Sequence, residues 1–119
     1  MYERIVVEVT TDGSGDAVAV SEPYTGIITA ISYIKTDFAT GVDFAIVGQD
    51  TGQGIWTELN VDASTIRYPR AAVHAAATGT AISGGYSPII LLNERVQITI
   101  AQGGAAKTGR FEILVADAD

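Results

Sequence analysis

The sequence contains no cysteine, three prolines, one histidine and one tryptophan, and half as many basic residues as acidic ones. Each shortage closes off a class of protein. Without cysteine there is no disulfide framework, no thiolate nucleophile and no sulfur ligand for a metal. A lone His74 cannot build the multi-histidine clusters that many β-barrel oxygenases use, so no metal or other cofactor is expected. Seven Lys and Arg stand against 14 Asp and Glu, a net charge of −7, and the bases are Lys35, Lys107 and five scattered arginines. Neutralising phosphates takes clustered positive charge, so nucleic acid is not an expected partner. The longest aliphatic run worth naming, Ile89-Ile90-Leu91-Leu92, falls far short of the roughly 18 residues a membrane helix requires, and no membrane association is expected. The start, Met1-Tyr2-Glu3-Arg4-Ile5, enters a strand-like pattern at once, without the basic opening and long apolar segment of a secretory signal. The expectation is a product made in a cytoplasm and kept there until something assembles it.

What is present is enough apolar material for one core. The 119 residues are 47% hydrophobic, the size of a single domain over residues 1–119, with no repeat, linker or composition break to divide it. Apolar residues alternate with period two along most of the chain: Ile5, Val7 and Val9; Val42, Phe44 and Ile46; Ile55, Thr57 and Leu59; Val96, Ile98 and Ile100; Phe111, Ile113 and Val115. This is the pattern of antiparallel strands with one face toward a core. Turn residues punctuate the runs, as in Asp12-Gly13-Ser14-Gly15-Asp16 and in residues 37–41, 50–54 and 102–109. Eight or nine short strands in an all-β antiparallel sandwich account for this spacing, with a jelly-roll among the arrangements open to it. Residues 70–77 are rich in alanine, and a short helix and an extended crossing are equally open there.

Several strands also carry large apolar residues on the face that alternation assigns to water. Residues 27–35 are the clearest case, with Ile27, Ile31 and Tyr33 on one side and Ile28, Ala30 and Ile34 on the other. Val6, Val47, Trp56 and Leu114 join the second group. Covering loops or two-layer packing bury such residues in some sandwiches. Left exposed, they form a patch larger than the few hundred Å² a monomer tolerates, and burying each in a partner stabilises by roughly 1.5–3 kcal/mol. Ile28, Ile34, Val47, Trp56 and Leu114 are therefore the candidate contacts of an oligomer or a docked partner.

No catalytic set competes with that reading. His74 lies among alanines, and no Gly-x-Ser-x-Gly elbow places Ser64, Ser83 or Ser87 beside it. Asp12, Ser14 and Asp16 have the alternate oxygen spacing of a calcium loop, but the position of the closing glutamate is Pro23, which favours an Asp/Gly turn over a weak calcium site. Asp37 and Asp43 flank a turn as solvated acids do, with no cleft implied to make them a glycosidase pair. Trp56 with Glu58 and Asn60, joined by Tyr24, Tyr68 and Tyr86, is the one constellation that suits a sugar-stacking platform.

Residues 87–104, from Ser87-Pro88-Ile89-Ile90-Leu91-Leu92-Asn93-Glu94-Arg95 to Gln102-Gly103-Gly104, and the return Lys107-Thr108-Gly109-Arg110-Phe111-Glu112-Ile113-Leu114-Val115 resemble small virion structural proteins of tailed bacteriophages, in particular capsid decoration or cement-type β-sandwiches. The resemblance covers residues 65–116 and is one of composition and patterning, so no functional residue is carried over. It implies a non-enzymatic virion protein made in the host cytoplasm that binds the outer capsid surface, often as a homotrimer, and clamps the major capsid protein. Edge-strand addition between residues 1–10 and a neighbour is one contact that such a role suggests. A tail, spike or fibre-base component is the nearest alternative within the virion, and a carbohydrate-binding or adhesin module the alternative outside it.

Overall fold

A computed structural model describes residues 2–117. Ten strands form two antiparallel sheets: β1 (Tyr2–Thr10), β2 (Ala17–Val20), β3 (Tyr24–Lys35), β4 (Val42–Gly48), β5 (Gly54–Val61), β6 (Thr65–Arg67), β7 (Arg70–His74), β8 (Ala81–Glu94), β9 (Val96–Ala101) and β10 (Thr108–Ala116). The long sheet runs β1-β10-β3-β8-β7, with β6 also pairing β3, and the short sheet runs β2-β9-β4-β5. Pairing β1 with β10, β2 with β9, β3 with β8 and β4 with β5 is what results when one long antiparallel ribbon is rolled over itself, so the sandwich is a jelly-roll. The alternation expected from the sequence is realised most cleanly in β4 and β10, where every second residue is buried. The count is ten rather than eight or nine because β6 and β7 are added to the eight strands of the roll. Residues 70–74 are extended, and the alanines that follow make a turn instead of a helix.

The inner faces meet in an aromatic cluster. Phe44 packs edge-on against Trp56 (centroids 4.7 Å apart) and Phe111 (5.1 Å), and lies 5.3 Å from Tyr33. Tyr33 stacks in turn with Phe38 and Phe111. All five rings are buried. The Tyr33 hydroxyl, enclosed with them, has no hydrogen-bond partner, and burial pushes its pKa up to about 12 from 10.0. A buried hydroxyl without a partner forfeits about 1–3 kcal/mol of solvation. Tyr33→Phe should therefore raise the melting temperature by a few degrees, and it should also remove an alkaline instability. The proton is held more tightly in the folded state, so the tyrosine's contribution is complete below pH 10 and is lost as pH rises toward about 12. Denaturant melts of both proteins between pH 8 and 12 check this; curves that stay parallel would refute it.

Two bulges shift the alternation and correct the sequence assignment of faces. Leu114 pairs with Ala30 and the next residue, Val115, with Ile28, which leaves Thr29 as an extra residue in β3. Its hydroxyl donates to the Leu114 carbonyl at 3.0 Å. The bulge turns Ile28 inward along with Ile31 and Tyr33, and Ile28 is fully buried. In β5, Ile46 pairs with Trp56 and Val47 with Gly54, so Ile55 is extra and both Ile55 and Trp56 point into the core. Leu59 and Thr57, assigned to the core by alternation, are exposed instead.

The crossings between sheets are fixed by polar contacts. Ser21, after β2, and Arg95, between β8 and β9, run side by side. Ser21 N donates to Val96 O (2.9 Å), Val96 N donates to Ser21 Oγ (2.9 Å), and Arg95 Nη1 donates to Ser21 O (3.0 Å). Beside them Glu94, only 2% exposed, reaches across to the β4–β5 turn. Thr51 N and Thr51 Oγ1 each donate to its Oε2 at 2.7 Å, and Gln53 Nε2 donates to Oε1 at 3.2 Å. Gly48 is required opposite, since a Cβ there would lie 2.4 Å from Glu94 Oε2.

Candidate functional site

The register of the long sheet lines up apolar residues on its outer face. Tyr2 pairs with Ala116, Ala116 with Ile27 and Ile27 with Ile90, a row that crosses β1, β10, β3 and β8. Leu92, two residues beyond Ile90 on the same side of β8, is 78% exposed and is the most open large apolar side chain among the described residues. Ile66 on β6 extends the surface, where Ala30, Ser32, Leu114 and the Arg4–Glu112 ion pair (2.9 Å) line a shallow depression with it. Arg110 Nε lies 3.2 Å from the same Glu112 carboxylate. The face is thus apolar at one end and ion-paired at its centre.

A second feature leaves the sandwich altogether. β8 pairs with β3 only over residues 89–94, and before that it pairs with β7 alone. Arg70 faces Pro88, Ala71 faces Ser87 and Ala72 faces Tyr86. The register then slips, so that His74 faces Ala81 and residues 82–85 swing out around Gly84 at φ 76°. This two-stranded arm carries exposed Ile82 and Tyr86, with exposed Tyr68 at its base. An isolated two-stranded hairpin is at best marginally stable in water, and this one gains little from the core. Charge is segregated along with it. No acidic residue occurs between Asp62 and Glu94, a stretch that holds Arg67 and Arg70, while all 14 acids and the other five bases lie elsewhere.

The five residues proposed as contacts from the sequence do not form one surface. Ile34 and Leu114 are half-buried on the outer face of the long sheet. Val47 is half-buried on the outer face of the short sheet, on the opposite side of the sandwich, where it pairs with Gln97. Ile28 and Trp56 are buried in the core instead of lying on the surface, a correction forced by the two bulges. Trp56 is 8% exposed, and its indole N–H donates to Glu58 Oε1 at 2.9 Å. Arg67 covers the ring at 5.8 Å and grips the Glu58 carboxylate through Nε and Nη2. Bonds from Arg67 and Trp56 hold the Glu58 carboxyl below its usual range. Of the exposed apolar residues, Val6 is among those read as facing water and Tyr86 enters only with the sugar platform, while Tyr2, Ile90 and Leu92 go unassigned, although the run 89–92, apolar on both faces, marks the last two.

The polar candidates are spent on turns. Asp12 Oδ1 accepts from Asp16 N (3.1 Å) and Ser14 N (2.8 Å), bonds that lower its pKa and close the loop on itself. No cluster of three metal-ligating side chains occurs among the described residues. Asp37 Oδ1 accepts from Thr108 N (2.5 Å), and Asp43 accepts from Asn60 N (2.8 Å) and Gln102 Nε2 (3.2 Å), so each carboxylate ties its segment to others distant in sequence. Ser64 Oγ accepts from Lys35 N (2.9 Å), and His74 stands exposed on the arm. With Trp56 inside, the sugar platform lacks its main ring. None of the described helices is long and apolar enough to cross a membrane.

Comparison with protein-family models, with curated proteins and with solved structures finds no match.

Proposed function

We propose that the chain is a non-enzymatic structural protein of a tailed-phage virion that docks on the outer capsid surface, with the major capsid protein as partner and a homo-oligomer, a trimer by preference, as the docking unit. The observation that carries this reading is the outer apolar row of the long sheet, ending at Ile90 and Leu92, which a complete jelly-roll core leaves unburied. Burying side chains of this size in a partner stabilises by roughly 1.5–3 kcal/mol each, enough for a few of them to offset much of the cost of association. The jelly-roll supports the reading by analogy only, since viral capsid proteins, lectins and cupins all use it. An acidic body suits a protein that does not compete for a packaged genome.

The decisive test is copy number by quantitative mass spectrometry on density-purified particles. A simple ratio to the major capsid protein is expected; absence from the particle overturns the proposal, and a few copies per particle moves the protein to the tail or a vertex. Leu92→Asp tests the face itself. The side chain is exposed, so stability should change by no more than about 0.5 kcal/mol, while binding to shells stripped of the protein should fall at least tenfold. Undiminished binding would remove this face from the proposal.

A further inference from the structure

The sandwich has four sheet edges, and they are not alike. β2, at one end of the short sheet, is four residues long. β5, at the other end, is bulged twice, with Asn60 at φ 56°, and is clasped by Arg67 from β6. Short strands and bulges are the usual protections against edge pairing. Of the long sheet's two ends, β7 is five residues long and slips register between Ala72 and His74, whereas β1 has neither protection. β1 keeps one unbroken register with β10 over all nine residues, with no proline or bulge in it. At the far end β7 is held by β8 alone, and its other side is open. One sheet therefore ends in two unsatisfied rows of backbone donors and acceptors.

The two ends also differ in charge. The arm that carries β7 lies in the acid-free stretch and bears Arg70, whereas β1 bears exposed Glu3 and Glu8, with Arg4 already engaged by Glu112. Two β7 edges meeting would bring like charges together, and so would two β1 edges. The opposite ends attract. We propose that β7 of one copy adds to β1 of the next, so that the long sheet continues from copy to copy through the arm. This rests on the reading of the chain as an assembling protein and names the partner of the arm as a second copy of this chain. The contact is head-to-tail, and a head-to-tail contact closes into a ring when its rotation permits; a trimer is the smallest such ring above a dimer. Backbone pairing supplies the bond, as in other strand additions. Position 1 of the suggested edge lies outside the described residues, and the proposal does not need it.

The absence of native cysteine makes the test direct. Full chains carrying Ala72→Cys, on the arm, are mixed with full chains carrying Val6→Cys, on the edge strand, and oxidised. A disulfide between unlike copies, formed well above the yield of either variant alone, is the expected result. Sedimentation of the unmodified chain should show a discrete oligomer, and Arg70→Glu should weaken it at least tenfold without changing the melting curve. A monomer at every concentration, an oligomer with no preference for the arm–edge disulfide, or an oligomer indifferent to Arg70→Glu each overturns the proposal. Shell binding is scored separately. Copies that join through arm and edge yet ignore capsids would defeat the virion reading alone, and a monomer that binds capsids would defeat the strand pairing alone.

Discussion

Glu94→Ala should cost the fold about 3–4 kcal/mol, because it strips the β4–β5 turn of several hydrogen bonds to a buried charged acceptor, each worth roughly 1.5–3 kcal/mol before compensation. Thr51 N and Thr51 Oγ1 lose their acceptor, Gln53 Nε2 keeps only the Ile90 carbonyl, and Gly48 is left facing a void the carboxylate had filled. That is a large share of the 5–15 kcal/mol typical of a domain. Glu94→Gln should cost about 2 kcal/mol, since one oxygen persists while the amide presents hydrogens to groups that are themselves donors. Urea melts at pH 7 measure both; a loss below 1 kcal/mol for the alanine variant would show the staple to be ornamental. The acid side of the stability curve gives an independent check. Desolvation raises the pKa of Glu94, but the bonds from Thr51 and Gln53 outweigh it and hold the group below its ordinary 4.5. The stabilisation is therefore complete above about pH 4.5 and is lost as pH falls through the lower folded value. Glu94→Ala should flatten that limb of the curve.

Phe44→Ala should be at least as damaging, at about 3–5 kcal/mol. The ring touches Tyr33, Trp56 and Phe111, and so joins β3, β5 and β10 through a single side chain on β4. Its removal leaves a cavity between two sheets whose backbones are held by their own ladders and cannot close on it. Phe44→Leu retains much of the volume and should cost about half as much. Calorimetry of the two variants separates volume from ring geometry: equal losses would mean that the edge-on contacts, and not the space they fill, hold the cluster together.

The sandwich was legible in the sequence because burial in a jelly-roll follows a period of two, and Val42, Phe44, Ile46 and Phe111, Ile113, Val115 keep that period without interruption. The candidate surface was legible only in part, and the reason is local. A bulge inserts one residue and reverses every face beyond it. Thr29 does this in β3 and Ile55 in β5, and with them Ile28 and Trp56 moved from the expected surface to the core. The bulge at Thr29 has no glycine or proline beside it, and Gly54, beside the bulge at Ile55, reads as part of the turn over residues 50–54. Threonine finds its bond in a carbonyl across the ladder, which period counting does not see. The arm was illegible for another reason: its alanines and glycines bury so little that no pattern distinguishes strand from helix, and only pairing with β8 decides it. The absence of acids between Asp62 and Glu94 was visible from the start, yet it acquires meaning only when the topology shows that one segment projects from the rest.

The pairing of β1 with β10 has a consequence for how the molecule comes into being. Residue 2 meets residue 116, and β10 is the strand that joins β1 to β3. While the polypeptide is still being synthesised, β1 has no neighbour in its own sheet, and the ribbon cannot roll shut until the last strand has left the ribosome. Closing so distant a pair is entropically slow, and topologies dominated by such pairs fold in milliseconds to seconds. For that interval β1 stands as an unpaired strand in the nascent chain, and β3, which can pair with β6 and β8, is open on the side that β10 will take. The edge that would recognise another copy is thus available before the fold is finished, and assembly and aggregation begin from the same exposed backbone.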